Sequence, residues 1–343
     1  MAGSGLNFVQ DLGDASYNEK TPESAWCSYI RSYLGSTLPF ELVSGNHESD
    51  GMQGLIDNFT ACLPDRLGNL TGTYGKEYYY DYPASNPLAR IIMISPGLTF
   101  TKGGTYDYSV GSPHYKWTAS AIDGARAAGI PWVIVGMHKV CLSTGSSTCW
   151  DGIGNDINNL LISKKVDLVL QGHDHSYQRS KQLVLNGNTC TAVVDETYNS
   201  SCVVNDGSTG SYTKGAGTVI NIVGTGGFEM TQYGPIYTWD GDNKYFATYM
   251  GGNLNPRFGW VKVTVSASQL TAQFMGATNR SNFTDQYTIT AAGTTPTSMP
   301  HALPTVVEAA AACAALLLVY LLIRRWKPRR RTQHAASLHS PLH

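Results

Sequence analysis

The sequence predicts an α/β fold of sheet and helix followed by one helix that crosses a membrane. Three observations carry this reading. Four apolar runs each end in a Gly-containing polar cluster, helix-like stretches lie between them, and a nearly uncharged apolar run at 305–323 precedes a basic tail.

The four runs are LNFVQ before DLGD, FELVS before GNHE, WVIVG before MHK and VDLVL before QGHDH. Short apolar runs closed by turn residues read as buried strands. Glu23 to Leu34, Trp117 to Ala128 and Asn155 to Ser163 read as helices between them. Alternation of strand, loop and helix is the pattern of an α/β sheet, whose ligands gather where loops leave the carboxyl ends of the strands. The His, Asp and Asn residues of this chain lie in those loops. After about Gln182 the texture changes to β hairpins, including CTAVVD, TVINIVG, WVKVTVS and LTAQFMG, without a clear helix.

Residues 1–290 therefore form the folded domain, and 291–304, rich in Thr, Pro and small residues, read as a stalk. The run TVVEAAAACAALLLVYLLI at 305–323 has one charge near its start and nearly the ~20 residues that span a bilayer core. Arg324 onwards supplies the positive flank of a cytoplasmic tail at 324–343. A cleaved lipid-anchor signal would end in its apolar stretch, whereas this chain continues beyond it.

The chain has 24 Lys plus Arg and 25 Asp plus Glu, but six of the basic residues follow the last acidic one, Glu308. The residues before Arg324 thus carry 18 basic and 25 acidic side chains, a net charge of −7, which argues against a nucleic-acid partner for the folded domain. The orientation of the span places that domain on the extracellular or lumenal side. Asn-x-Ser/Thr triplets at Asn58, Asn69, Asn199, Asn279 and Asn282 all precede the span, and the tail has none. Cys27, Cys62, Cys141, Cys149, Cys190 and Cys202 lie in the same region, while Cys313 sits inside the apolar run. An even count outside the membrane permits disulfides, and the short separations favour Cys141 with Cys149, Cys190 with Cys202 and, by elimination, Cys27 with Cys62. The start, MAGSGLNFVQ, has neither a basic start nor a long apolar export region, so the N-terminus reads as incomplete.

Hydrolysis of a phosphate ester needs a nucleophilic hydroxide at ordinary pH and positive charge against the phosphoryl oxygens, and two close metal ions supply both. Gly172-His173-Asp174-His175 puts two imidazoles one residue apart just after a strand, and imidazole suits zinc, iron and manganese. Alone, this run reads equally as an exposed polar turn. Gly45-Asn46-His47-Glu48 follows another strand, with an amide oxygen that can bind a metal beside an imidazole that can face a substrate. Val135-Gly136-Met137-His138 ends a third strand in one more imidazole. Gly13-Asp14-Ala15-Ser16-Tyr17 ends the first, offering a carboxylate that can bridge two metals and a phenol that can bind a strongly Lewis-acidic one.

In order, GDxxY, GNHE, VxxH and GHxH resemble the metal-binding blocks of calcineurin-like metallophosphoesterases, and the Tyr of the first block points to the purple acid phosphatases. The resemblance covers roughly Leu6 to Thr290 and takes in HSYQRS, IVGTGG and FGWVKVTV. It implies a sandwich of two mixed β-sheets flanked by helices. It implies an acid phosphatase that cleaves phosphate monoesters by in-line attack of a metal-bound hydroxide, with no phospho-enzyme. Asp14 would bridge two metal ions, Tyr17 and His175 would bind the first, iron(III) in this family, and Asn46, His138 and His173 would complete the second site. The second metal is zinc(II), iron(II) or manganese(II), among which this donor set does not choose. His47, beside a ligand but not one, would stabilise phosphoryl oxygens or protonate the leaving alkoxide. Glu48 would support His47 or a ligand. Tyr177 and Arg179 read as contacts to substrate or to ligands, or as packing, and His114 reads as structural or surface.

The family has a further Asp block on a strand upstream of GDxxY, and here thirteen residues precede Asp14. Asp11, the one nearby carboxylate, reads as a turn residue. Two alternatives follow: a phosphodiesterase or nucleotidase on the same metal core, and a non-catalytic surface receptor or scaffold with an incomplete metal site.

Overall fold

A computed structural model describes residues 5–149, 153–238, 241–277 and 281–293. Its backbone is an eight-stranded mixed sheet. From one edge to the other the order is Phe246–Met250, Tyr177–Ser180, Val219–Val223, Leu168–Gln171, Trp132–Met137, Ala89–Ile94, Glu77–Tyr82 and Thr71–Thr73. The four strands from Val219–Val223 to Ala89–Ile94 are parallel, and antiparallel strands flank them. The central strands ARIIMI and WVIVGM are buried along their whole length, which is why WVIVG reads as a continuous apolar run rather than as an alternating one.

Alternate residues of these strands face different cores. Ile92, Ile94, Val133 and Val135 pack on one face with Ala121, Ile122, Ile157 and Leu161 of the helices Pro113–Ala127 and Asn155–Ser163. Ile91, Met93, Trp132 and Ile134 pack on the other with Leu270, Ala272, Tyr287 and Ile289 of a four-stranded sheet. That second sheet runs Ser211–Thr213, Gln286–Thr290, Gln269–Gly276 and Gly259–Val265, with its first pair parallel and the rest antiparallel. The result is two mixed sheets face to face with helices outside the larger one.

Disulfides join Cys27 to Cys62, Cys141 to Cys149 and Cys190 to Cys202. The first links helix Glu23–Leu34 to helix Ile56–Cys62.

Several elements differ from the sequence reading. The helix read as starting at Trp117 starts at Pro113, because the Ser112 hydroxyl accepts the Tyr115 N–H at 3.2 Å and Pro113 occupies the first turn. TVINIVG is not a hairpin arm: it inserts parallel to Leu168–Gln171 in the middle of the large sheet. CTAVVD forms no strand; its Val193 amide donates instead to the side chain of Asn159. The run at 305–323 read as a membrane span, the residues read as a tail, most of those read as a stalk and Asn279 lie outside the described residues. Among the described residues, no helix is long and apolar enough to cross a membrane.

Candidate metal centre

Four loops meet at the carboxyl ends of parallel strands. Val9–Gln10 pairs in parallel with Phe40–Glu41, and each runs into a polar block, Gly13-Asp14 and Gly45-Asn46. Trp132–Met137 delivers His138, and Leu168–Gln171 delivers the run from Gly172 to His175. The Gly172 amide donates to the His138 carbonyl at 3.0 Å, which ties the last two loops together.

The first two loops touch through glycines. A Cβ on Gly13 would strike the Gly45 backbone, and one on Gly45 would strike the Asp14 carboxylate. Asp14, Tyr17 and His173 all have φ between 48° and 59°. Non-glycine residues in that left-handed region each carry strain on the order of 1 kcal/mol, so the surrounding contacts hold three predicted ligands in a conformation they would not adopt alone.

The side chains converge. Asp14 Oδ2 lies 3.1 Å from His138 Nε2, which is also 3.1 Å from Asn46 Oδ1 and 3.1 Å from His173 Nδ1. Donor atoms of Asp14, His138 and His173 all fall within 4.8 Å of one another. Tyr17 joins from the other side, its hydroxyl 3.0 Å from Asp14 Oδ2 and 3.0 Å from His175 Nε2. All six predicted ligands thus lie in one chain of contacts with Asp14 at its centre.

Carbonyls orient two of the imidazoles. His138 Nδ1 donates to the Leu12 carbonyl at 2.8 Å and His175 Nδ1 to the Glu229 carbonyl at 2.6 Å, which turns both Nε2 atoms inward. Burial and the neighbouring His138 hold His173 down at about 3, so it is a neutral donor at ordinary pH. Burial works against charge on His138, but the Asp14 carboxylate outweighs it and lifts that imidazole above its usual value. Burial works against charge on Asp14 too, yet His138 and His47 hold its carboxyl well below the usual range. Burial, and then the Asp14 carboxylate, push the Tyr17 phenol well up.

His47 stands at the open side, its side chain 32% exposed and its Nε2 3.7 Å from Asp14 Oδ2. Its Nδ1 is bonded to Gln53 Oε1, a partner with no signal in the sequence. Gln53 also lines a cavity of about 230 Å³, together with Ser16, Lys20 and Met52. Phe228 stacks on Tyr17 with ring centres 4.1 Å apart, and Phe228 and Tyr233 both set an edge against His175. These aromatics also went unread, because they lie more than fifty residues beyond the last metal-type block.

Glu48 supports a predicted ligand through its backbone: the carboxylate accepts the N–H groups of Asp14, Ala15 and Gly45. Tyr177 and Arg179 take the packing role of the two read for them. Both bond Asp285, at 2.6 and 2.7 Å, and so pack the second sheet against the first rather than reaching toward a substrate. Asp11, read as a turn residue, has its Oδ2 buried without a hydrogen-bond partner among the described residues, and burial with the nearby Glu48 carboxylate pushes its carboxyl well up. His114 bonds Glu77 at 3.0 Å and stacks on Tyr106.

The donor set fits a metal. Three imidazoles, an amide oxygen, a carboxylate and a phenol converge from loops remote in sequence, and an orphaned buried carboxylate oxygen stands close by. An N/O set of this kind suits zinc, iron or manganese better than calcium.

Comparison with known proteins bears on the same segment. A family model described as calcineurin-like phosphoesterase matches residues 6–177. Purple acid phosphatase 1 of Ipomoea batatas is 26% identical over 211 residues, 57% of this chain and 42% of that protein. A nucleotide pyrophosphatase/phosphodiesterase of Hordeum vulgare is 28% identical over 241 residues, 66% of this chain and 59% of that protein. The chain therefore spans roughly half the length of these relatives. Among solved structures, a purple acid phosphatase isolated from yellow lupin (Lupinus luteus) seeds aligns over 84% of this chain and 47% of its own, with a TM-score of 0.56 at 20% identity.

Proposed function

The chain belongs to the calcineurin-like phosphoesterase family, and from that premise we propose that it is a metal-dependent phosphatase acting on phosphate monoesters. The observation that carries the proposal is the meeting of Asp14, His138 and His173 donors within 4.8 Å. Asn46 completes that set, and Tyr17 with His175 forms the second, linked through Asp14. Similarity to purple acid phosphatases supports two metal ions, iron(III) with a divalent partner. When bound, such ions supply a nucleophile at ordinary pH and positive charge against the phosphoryl oxygens.

The chain's own residues supply the rest. Asp14 sits between the two donor sets, and the carbonyls of Leu12 and Glu229 keep the imidazoles turned toward it. His47, on the open side with its Nδ1 held by Gln53, is placed to give a proton from Nε2 to the leaving alkoxide. The cavity that Gln53 lines takes the leaving group.

The barley relative's name favours a second reading, in which the same centre cleaves phosphodiesters. One assay separates them: p-nitrophenyl phosphate against bis-p-nitrophenyl phosphate, with the full chain reconstituted in iron and zinc. Faster turnover of the monoester supports the phosphatase, faster turnover of the diester supports the alternative, and no hydrolysis of either sinks both.

We place the folded domain in an extracellular or lumenal compartment, held by 305–323. Three disulfides and the triplets at Asn58, Asn69, Asn199 and Asn282 support this. Glycosidase-sensitive mass on the membrane-associated chain tests it.

A further inference from the structure

The middle residue of the two-histidine run has no part in the metal centre as described. Asp174 lies between His173 and His175, yet it is 1% exposed and faces the opposite way. One carboxylate oxygen accepts the Ser143 hydroxyl and the other the Ser147 hydroxyl. Both oxygens are engaged by the serines, and Asp174 is not among the clustered donors of Asp14, His138 and His173.

Both serines belong to the loop that the Cys141–Cys149 disulfide closes. That loop begins three residues after His138. Its backbone is held on other sides as well: Thr144 N donates to Gln178 Oε1 at 2.8 Å, Gln178 Nε2 donates to Ser143 Oγ at 2.9 Å, and Tyr237 N donates to the Thr144 carbonyl at 2.7 Å. Between the serines, a Cβ on Gly145 would collide with the Asp174 carboxylate, so the loop wraps the aspartate as closely as a backbone can. Cys141 and Cys149 are themselves buried.

We propose that Asp174 is a positioning residue that lashes the His173–His175 ligand loop to the Cys141–Cys149 loop, and that metal retention depends on this clasp. The proposal rests on the metal-centre reading above. Its physical basis is the left-handed backbone of His173, with φ at 59°. A strained ligand loop relaxes unless its neighbours hold it. With Asp174 clamped on one side, His173 and His175 are driven to the other, where their ring nitrogens reach the Asp14 cluster. A buried carboxylate stripped of its two hydroxyl donors would turn toward water or toward the metal, and either movement carries both imidazoles with it.

The test uses the full chain, stripped of metal and titrated with Zn²⁺ against a competing chelator. Ser143→Ala with Ser147→Ala, and separately Cys141→Ser with Cys149→Ser, should each weaken Zn²⁺ binding about 10–100-fold, the range found for partners that orient metal ligands. Far-UV circular dichroism should stay that of the parent. If the parent itself takes up no Zn²⁺, the metal-centre reading fails. If the parent binds and the serine variant binds equally well, whether or not its stability falls, the clasp is overturned. Should the double serine variant fail to fold, Ser147→Ala alone is judged by the same criterion, since Ser143 still caps one oxygen there.

Discussion

Glu48 accepts the backbone N–H of Asp14 at 2.9 Å while also accepting that of Gly45 at 2.6 Å. One buried carboxylate thereby pins the GDxxY loop to the GNHE loop, and the Asp14 carboxylate returns the contact by accepting His47 N at 3.1 Å. With the Ala15 amide, which donates to the other carboxylate oxygen at 3.3 Å, Glu48→Ala would leave three amides without an acceptor, at about 1–3 kcal/mol each. Urea denaturation of the metal-free chain should show a loss of that size, with a smaller one for Glu48→Gln, which keeps a carbonyl. A change under about 0.5 kcal/mol for the alanine variant would mean that water replaces the carboxylate and that the two loops hold each other without it.

His138 touches Asp14, Asn46 and His173 at once. His138→Ala should cost more than the ~10–100-fold typical of residues that merely support a ligand, and metal analysis should find about one ion fewer per chain. His47→Ala should instead slow turnover and leave the metal content at the parent level. Full activity of the His138 variant at unchanged metal content would dismantle the proposed site.

Local order and the three disulfide pairs were legible, and most other long-range pairing was not. Helices Glu23–Leu34 and Asn155–Ser163 have the bounds their pattern indicates. The Trp132–Met137 and Leu168–Gln171 strands stand out because burial on both faces makes them continuously apolar. The six metal-type residues could be found because each lies in a polar block that follows a short or long apolar run. TVINIVG was misjudged because period alone does not tell a parallel central strand from a hairpin arm. Asp174, Gln53 and Phe228 stayed hidden because their meaning lies in partners: Ser143 and Ser147 for the first, His47 for the second, Tyr17 for the third. No spacing rule reaches the 106 residues between Arg179 and Asp285.

That last pair makes its own prediction. Arg179 is buried, donates Nε to Asp285 Oδ2 at 2.7 Å and Nη2 to Oδ1 at 3.1 Å, and shares Asp285 with the Tyr177 hydroxyl. Removing one partner of a buried ion pair typically costs about 3–5 kcal/mol because the other charge is stranded. Asp285→Ala should therefore lower the unfolding free energy by about that amount, with KM for the aryl phosphate unchanged in the folded fraction. A raised KM at full stability would return Arg179 to the role of a substrate contact.

Glu41 offers a pH test well apart from the metal ligands. It is wholly buried at the end of the short Phe40–Glu41 strand. Its Oε1 accepts Arg66 N at 3.2 Å, while Oε2 has no hydrogen-bond partner among the described residues. Burial, reinforced by the neighbouring Asp65, pushes its carboxyl up to about 7 from 4.5, against the pull of the Arg66 amide. A carboxyl whose folded pKa is raised binds its proton more tightly in the folded chain than in the unfolded one. Its contribution to stability is thus fully present below about 4.5 and is lost as pH rises through about 7. The full difference is on the order of 3 kcal/mol. Glu41→Gln carries no such proton, so parent and variant should match near pH 4 and diverge by up to that amount near pH 8, with the variant the more stable. Chemical denaturation of both at several pH values measures the gap; a gap that stays constant from acid to neutral pH would show that Glu41 ionises without penalty and that solvent reaches its Oε2.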